Sequence, residues 1–248
     1  MTIKTRYLAL FTAVYATGAL IVTAPAYLLD TAVGHFSHER LSLANCRGTI
    51  WQGSATPQLN MANHASFALH TLQWRINPQD LLLGRLSITL SWENLGAKTP
   101  MQLLVDSKSM VLSNVLLPLP AGIISELSPY LKPAQFSGSL MLESPKLTYA
   151  EDALQGNATA RWREAGSAMS SVHPLGDYQI DLNASRDKIS ATLSTQGGAL
   201  LLGGQGGWSR PQGFYFYGTA RTANQPALNE LLHHLGPESS PGVYQISI

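Results

Sequence analysis

Few residues in this chain have both the type and the spacing for chemistry. His35 and His38 stand at the i, i+3 spacing that puts two imidazoles on one helix face, the beginning of a metal site. No third ligand clusters beside them, so no metal is assigned. Glu151-Asp152 supplies two carboxylates, but neighbours in a turn diverge rather than converge on a substrate. His233-His234 fall on a predicted terminal helix, where surface or capping roles are the default. Cys46 is the one cysteine, which excludes an intrachain disulfide and a cysteine-rich metal site; it reads as a small buried apolar residue. Asn157-Ala158-Thr159 and Asn183-Ala184-Ser185 match the glycosylation sequon, yet both lie in predicted strands. The phosphate-binding loop, the nucleophile elbow, His-Glu-x-x-His and the Asp-rich calcium loop are all missing. The residues describe no enzyme, and neither catalytic, cofactor nor metal positions are assigned.

The element that must position everything else is Tyr7 to Leu29, 23 residues free of Asp, Glu, Lys, Arg, His, Asn and Gln. As a helix it measures roughly 34 Å, enough to cross a hydrocarbon core of about 30 Å. Lys4 and Arg6 precede it and the next basic residue is Arg40. That asymmetry predicts a cytoplasmic N-terminus at 1–6, an anchor at 7–29, a polar connector at 30–45 and a periplasmic domain at 46–248. A cleaved signal is the rival reading, since Ala24-Pro25-Ala26 imitates a small-x-small cleavage site. The proline and the length of the apolar run favour the uncleaved anchor.

Only 12% of the residues are charged. Without Lys4 and Arg6 the exported part holds 14 basic against 15 acidic residues, a net −1. That is no footprint for nucleic acid or for an acidic lipid surface.

The dominant periodicity beyond residue 45 is two. Leu86, Ile88, Leu90 and Trp92 alternate with Ser87, Thr89 and Ser91, and similar runs occupy 136–143, 158–163, 178–184 and 189–194. Half-buried strands of this kind build antiparallel sheets, and the turn signals between them make a meander. The expected fold is mainly β: a large twisted antiparallel meander, folded over or sandwich-like, with a few short helices after one transmembrane helix. Arg47 to Ala55 reads as one strand opened and closed by glycines. Phe214 to Tyr217 carries aromatics on both faces and is expected to be covered on both. Helical turns are predicted at Asn77–Gly84, Ala121–Leu131 and Gln225–Leu235, the last striped with Leu228, Leu231, Leu232 and Leu235.

Four stretches together resemble the protein N family of the type II (general) secretion pathway. They are the N-terminal anchor, Gly48-Thr49-Ile50-Trp51-Gln52-Gly53-Ser54-Ala55, the segment from Trp74-Arg75-Ile76-Asn77-Pro78 to Leu83-Gly84-Arg85-Leu86, and a C-terminal block. That block contains His173-Pro174-Leu175-Gly176-Asp177-Tyr178 and Gly198 to Trp208 with Gly204 and Gly206, and it ends with Leu232–Gly236 and Gly242-Val243-Tyr244. The resemblance implies an inner-membrane protein with one span, whose periplasmic β domain contacts other secretion components; it brings no catalytic residues. A second pattern, a meander with one continuous apolar face, is similar to periplasmic lipid-handling proteins of the AsmA kind and implies a lipid ligand. A processed, soluble periplasmic enzyme is the third alternative.

Overall fold

A computed structural model describes residues 12, 15–60, 66–93, 95, 99–126, 129–210, 212–222, 225–228, 232–233 and 236–247. The chain forms two compact units, Met1–Pro100 and Met101–Ile248. Their boundary falls inside the stretch expected as one domain.

In the first unit residues 15–22 are helical, and the chain then breaks at Thr23–Ala26. Pro25 explains the break, because it donates no backbone hydrogen bond and disfavours helical geometry at Ala24. The apolar stretch therefore does not run as one helix to Leu29. Helix α1 (Tyr27–Phe36) follows; its start belongs to the expected anchor and the rest fills 30–36 of the expected connector, whose last residues, from Leu41 on, are already strand. No helix among the described residues is long and apolar enough to cross a membrane; residues 7–11 and 13–14 of the expected span lie outside them.

Strands β1 (Leu41–Gly48), β2 (Gln52–Asn60), β4 (Leu72–Ile76) and β5 (Leu86–Trp92) pair in that order, with the short β3 (Ser66–Ala68) on β2; a single turn, α2 (Pro78–Leu81), joins β4 to β5. The expected single strand at Arg47–Ala55 is instead a hairpin. Gly48 lies opposite Gly53, and Gly48 takes φ +91°, which closes the chain on itself at Thr49–Trp51. Ala26 and Ala55 are buried with Trp74, and Leu29 of α1, Leu43, Cys46 and Ile88 pack around them. Asp30 fixes the helix to the sheet, its carboxylate accepting the Leu43 amide at 2.6 Å.

The second unit is a meander: β6 (Met101–Val105), β7 (Ser109–Pro120), β8 (Ser137–Ala150), β9 (Ala153–Gly166), β10 (Gly176–Arg186), β11 (Lys188–Gly198), β12 (Leu200–Ser209) and β13 (Gly213–Thr222) each pair antiparallel with the next. β15 (Val243–Ser247) pairs with β13, and β14 (Glu238–Ser240) with β15. The period-two segments thus become strands of an antiparallel sheet. Register places Leu117, Leu142, Ala160, Ile180 and Leu193 side by side across β7 to β11. Leu182 with Ala191, and Ala184 with Ile189, continue the same face along the strands.

Helix α3 (Ile123–Glu126) and a 3-10 turn (Pro129–Ala134) replace the single helix expected at Ala121–Leu131, Pro129 and Pro133 breaking its regularity. Ala121 packs there with Trp162, Ala165 and Tyr178. At the C-terminal end a 3-10 turn (Pro226–Leu228) and a helical pair at 232–233 bury Leu228 and Leu232 completely; Leu231 and Leu235 lie outside the described residues. Phe214 and Tyr217 are well exposed, so β13 is not covered on both faces as its sequence suggested. Phe214 and Tyr217 lie three residues apart in an unbroken register, so one aromatic is exposed on each face of the strand.

Candidate functional site

In the first unit the residues singled out by sequence meet at one end of the sheet, where the N-terminal helix leaves it. Trp51 donates its indole N–H to the Ile21 carbonyl at 2.9 Å. Ile50 N–H reaches the Ala24 carbonyl at 2.9 Å, and Ala26 N–H reaches the Gly48 carbonyl at 3.0 Å. The β1–β2 turn therefore straps the chain just after residues 15–22. Trp74 braces the strap from beneath, its indole N–H shared between the Thr49 and Ile50 carbonyls at 3.3 and 3.1 Å. Gly53 lies directly against it: a Cβ there would meet Trp74 Cζ2 at 2.6 Å and crowd the Arg47 carbonyl. Pro78 opens α2 behind Asn77, whose side-chain oxygen Oδ1 accepts the Gln79 amide at 3.2 Å, and Gly84 ends the turn at φ +70°.

The remaining positions order the second unit. Tyr178 packs its ring 5.7 Å from Trp162, which in turn meets Phe136 edge-on at 5.2 Å. Trp162 donates to the Ser137 carbonyl at 2.9 Å, and Tyr178 to the Leu200 carbonyl at 2.9 Å. Burial, then the Asp177 carboxylate, push the Tyr178 phenol far above its ordinary value. Pro174, in a cis peptide after His173, leads into Leu175, whose carbonyl takes the amides of Ala199 and Leu200 at 2.9 Å each. Gly176 and Gly198 pass so closely in this corner that neither has room for a side chain. Gly204 and Gly206 lie under the Phe216 ring, with prospective Cβ contacts of 2.6 and 2.8 Å, while Trp208 stands exposed further along β12.

None of these groups converges as a catalytic set. Among the described residues no three of His, Cys, Asp and Glu come together to hold a metal ion. His35 meets Phe36 edge-on, and His233 meets Tyr244 likewise; His234 is outside the described residues. Glu151 and Asp152 form the β8–β9 turn, both at positive φ. The Cys46 thiol donates to the Leu43 carbonyl at 3.3 Å, and burial, then Asp30, push its pKa up, which disfavours the reactive thiolate. Asn157 and Asn183, the two sequon asparagines, are cross-strand partners bonded amide to amide at 2.6 Å. Asp181 beside them accepts from Gln179 and Thr159, whose hydrogen bonds hold its carboxyl below the usual range. What the arrangement offers is surface: an end of the sheet strapped to an apolar helix, and a broad apolar sheet face. Sequence reasoning found the tryptophans and glycines but not that strap, since a hydrogen bond from Trp51 to a backbone carbonyl thirty residues earlier leaves no pattern in the chain.

Searches among curated proteins and among solved structures find no match. A family model described as type II secretion system (T2SS), protein N, matches residues 39–247, which takes in the Gly48–Ala55 hairpin, the Trp74–Leu86 segment and the whole meander. The chain belongs to the type II secretion system protein N family.

Proposed function

We propose that this protein is an accessory component of the type II secretion machine, held in the inner membrane by its N-terminal helix, with its N-terminus in the cytoplasm and its two β units in the periplasm. Family membership carries the secretion role. The membrane reading is supported by residues 15–22, where Tyr15, Leu20, Ile21 and Val22 are all exposed on a helix that no protein core covers. Motor and pore belong to other proteins; this chain supplies contacts between them or with cargo. In a strain lacking the gene, secreted proteins are expected to accumulate in the periplasm, and photocrosslinkers on the β units should capture other secretion components. Unimpaired secretion together with no such crosslink would sink the proposal. Alkaline carbonate washing tests the anchor separately, because a spanning protein stays in the pellet.

One observation favours a second reading. The row Leu117–Leu142–Ala160–Ile180–Leu193 is largely half-buried rather than packed away, and the same face runs on to exposed Trp208 and Phe214. An apolar face of that length fits an acyl chain.

A further inference from the structure

The turn between β4 and β5 presents three consecutive leucines to solvent: Leu81, Leu82 and Leu83 are 41, 88 and 72% exposed. It is an ordered turn. Asn77 caps its start and also donates to the Asp80 carboxylate at 3.0 Å, while Arg85 N–H returns to the Asp80 carbonyl at 3.0 Å. Backbone order that holds leucines outward leaves apolar surface unburied by folding, and such a patch marks a partner.

Its position says which partner. Ile76 N–H bonds the Trp51 carbonyl at 2.6 Å, and Ile76 lies opposite Ile88, so Trp51, Ile76 and Ile88 form the last cross-strand row. Beyond that row the β1–β2 turn and the leucine turn leave the sheet at the same end. The β1–β2 turn is the one strapped to Ile21. The leucine turn and the apolar helix therefore emerge together from one end of one unit. Arg47, Arg75 and Arg85 are exposed around this end, and neither of the two ion pairs among the described residues involves them. Net charge over the chain is close to zero, but this end is locally positive.

From this juxtaposition we infer that Leu81–Leu83 is a membrane-docking tip. The leucines enter the boundary between headgroups and acyl chains, and the arginines meet lipid phosphates, so the first unit touches the bilayer at two points. The inference rests on the anchor reading above and adds a second contact to it. A groove on another protein would also accept leucines. Continuity with a lipid-facing helix and the unpaired arginines fit a phosphate-bearing apolar sheet better.

The test uses the full chain, with Cys46 replaced (C46A), reconstituted in vesicles of phosphatidylethanolamine and phosphatidylglycerol. A fluorophore is attached through L82C, or through S66C at the opposite end of β2 as control. The expected result is that doxyl-labelled lipid quenches the L82C probe several-fold more than the S66C probe, while aqueous iodide shows the reverse order. Adding L81S and L83S to L82C should abolish the lipid quenching with no change in thermal unfolding, because these side chains bury little. An L82C probe open to iodide, or lipid quenching that survives the serine substitutions, overturns the tip. Carbonate extraction of the same vesicles reports the anchor independently: protein released into the supernatant refutes the anchor, and quenching at L82C still reports the tip.

Discussion

A phenol that is 2% exposed must satisfy its hydroxyl inside the protein, and Tyr178 does so on the Leu200 carbonyl, bridging β10 to β12 across β11. Replacing it with phenylalanine orphans that carbonyl and should cost about 1–2 kcal/mol, read as a lower urea midpoint in tryptophan fluorescence. The same burial couples stability to alkaline pH. Its folded-state pKa is raised, so the folded protein keeps a proton that the unfolded chain releases above about pH 10. Stability is therefore complete below that pH and falls as pH rises further. Y178F should unfold with a flatter pH dependence there, and an unchanged slope would show that other tyrosines dominate. Gly53 makes a steric counterpart in the first unit. G53A forces a methyl group into Trp74 and the Arg47 carbonyl, a displacement expected to cost about 1–3 kcal/mol and to lower the melting temperature.

At the scale of elements, the C-terminal helical segment fastens one end of the second unit's apolar face. Leu228 and Leu232, both 0% exposed, pack with Leu175, Leu200, Ala220 and Tyr244. L228A and L232A should each destabilise by roughly 2–5 kcal/mol, seen in urea unfolding, which is more than any truncation of the half-buried residues midway along the strands. Those strands were legible because alternation at period two is written in the residues themselves, as in Tyr178-Gln179-Ile180-Asp181-Leu182-Asn183. The hairpin at Gly48–Gly53 was not. A glycine can mark a bend, a close approach or a left-handed residue, and only the pairing of Gly48 with Gly53 distinguishes them. Helix α1 was hidden as well, since DTAVGHF reads as polar connector until Asp30 is seen bonded to β1. The bulge between Glu143 and Lys146 likewise arises from strand pairing, and no residue there gives a local sign of it, whereas Gly138 marks the other bulge of that strand.

For the whole molecule, composition and surface favour contacts through apolar faces over contacts through charge. Charge is sparse, ion pairs are few among the described residues, and the extended surfaces are apolar. If the half-buried face of the second unit holds an acyl chain, gently extracted protein should carry a phospholipid-mass adduct in native mass spectrometry. I180E sets a carboxylate between Ala160 and Leu193 and should remove that adduct while circular dichroism stays unchanged. No adduct on the unaltered protein would retire the lipid reading and leave the secretion contacts standing.

The strand order also bears on how the protein is made. From β6 to β13 every strand finds its partner immediately behind it in the chain, and the strap joining Ile21 to Trp51 closes within the first fifty or so residues. In the orientation proposed above, the N-terminus stays in the cytoplasm and the segment just after the anchor enters the periplasm first, followed by the strands in chain order. Each new strand then meets a template that has already been translocated, and nothing still inside the cell is required to complete the pairing. Growth of the sheet can keep pace with export. At every moment before β15 arrives, the newest strand offers an unpaired backbone edge, and that advancing edge is the surface a periplasmic chaperone would have to shield.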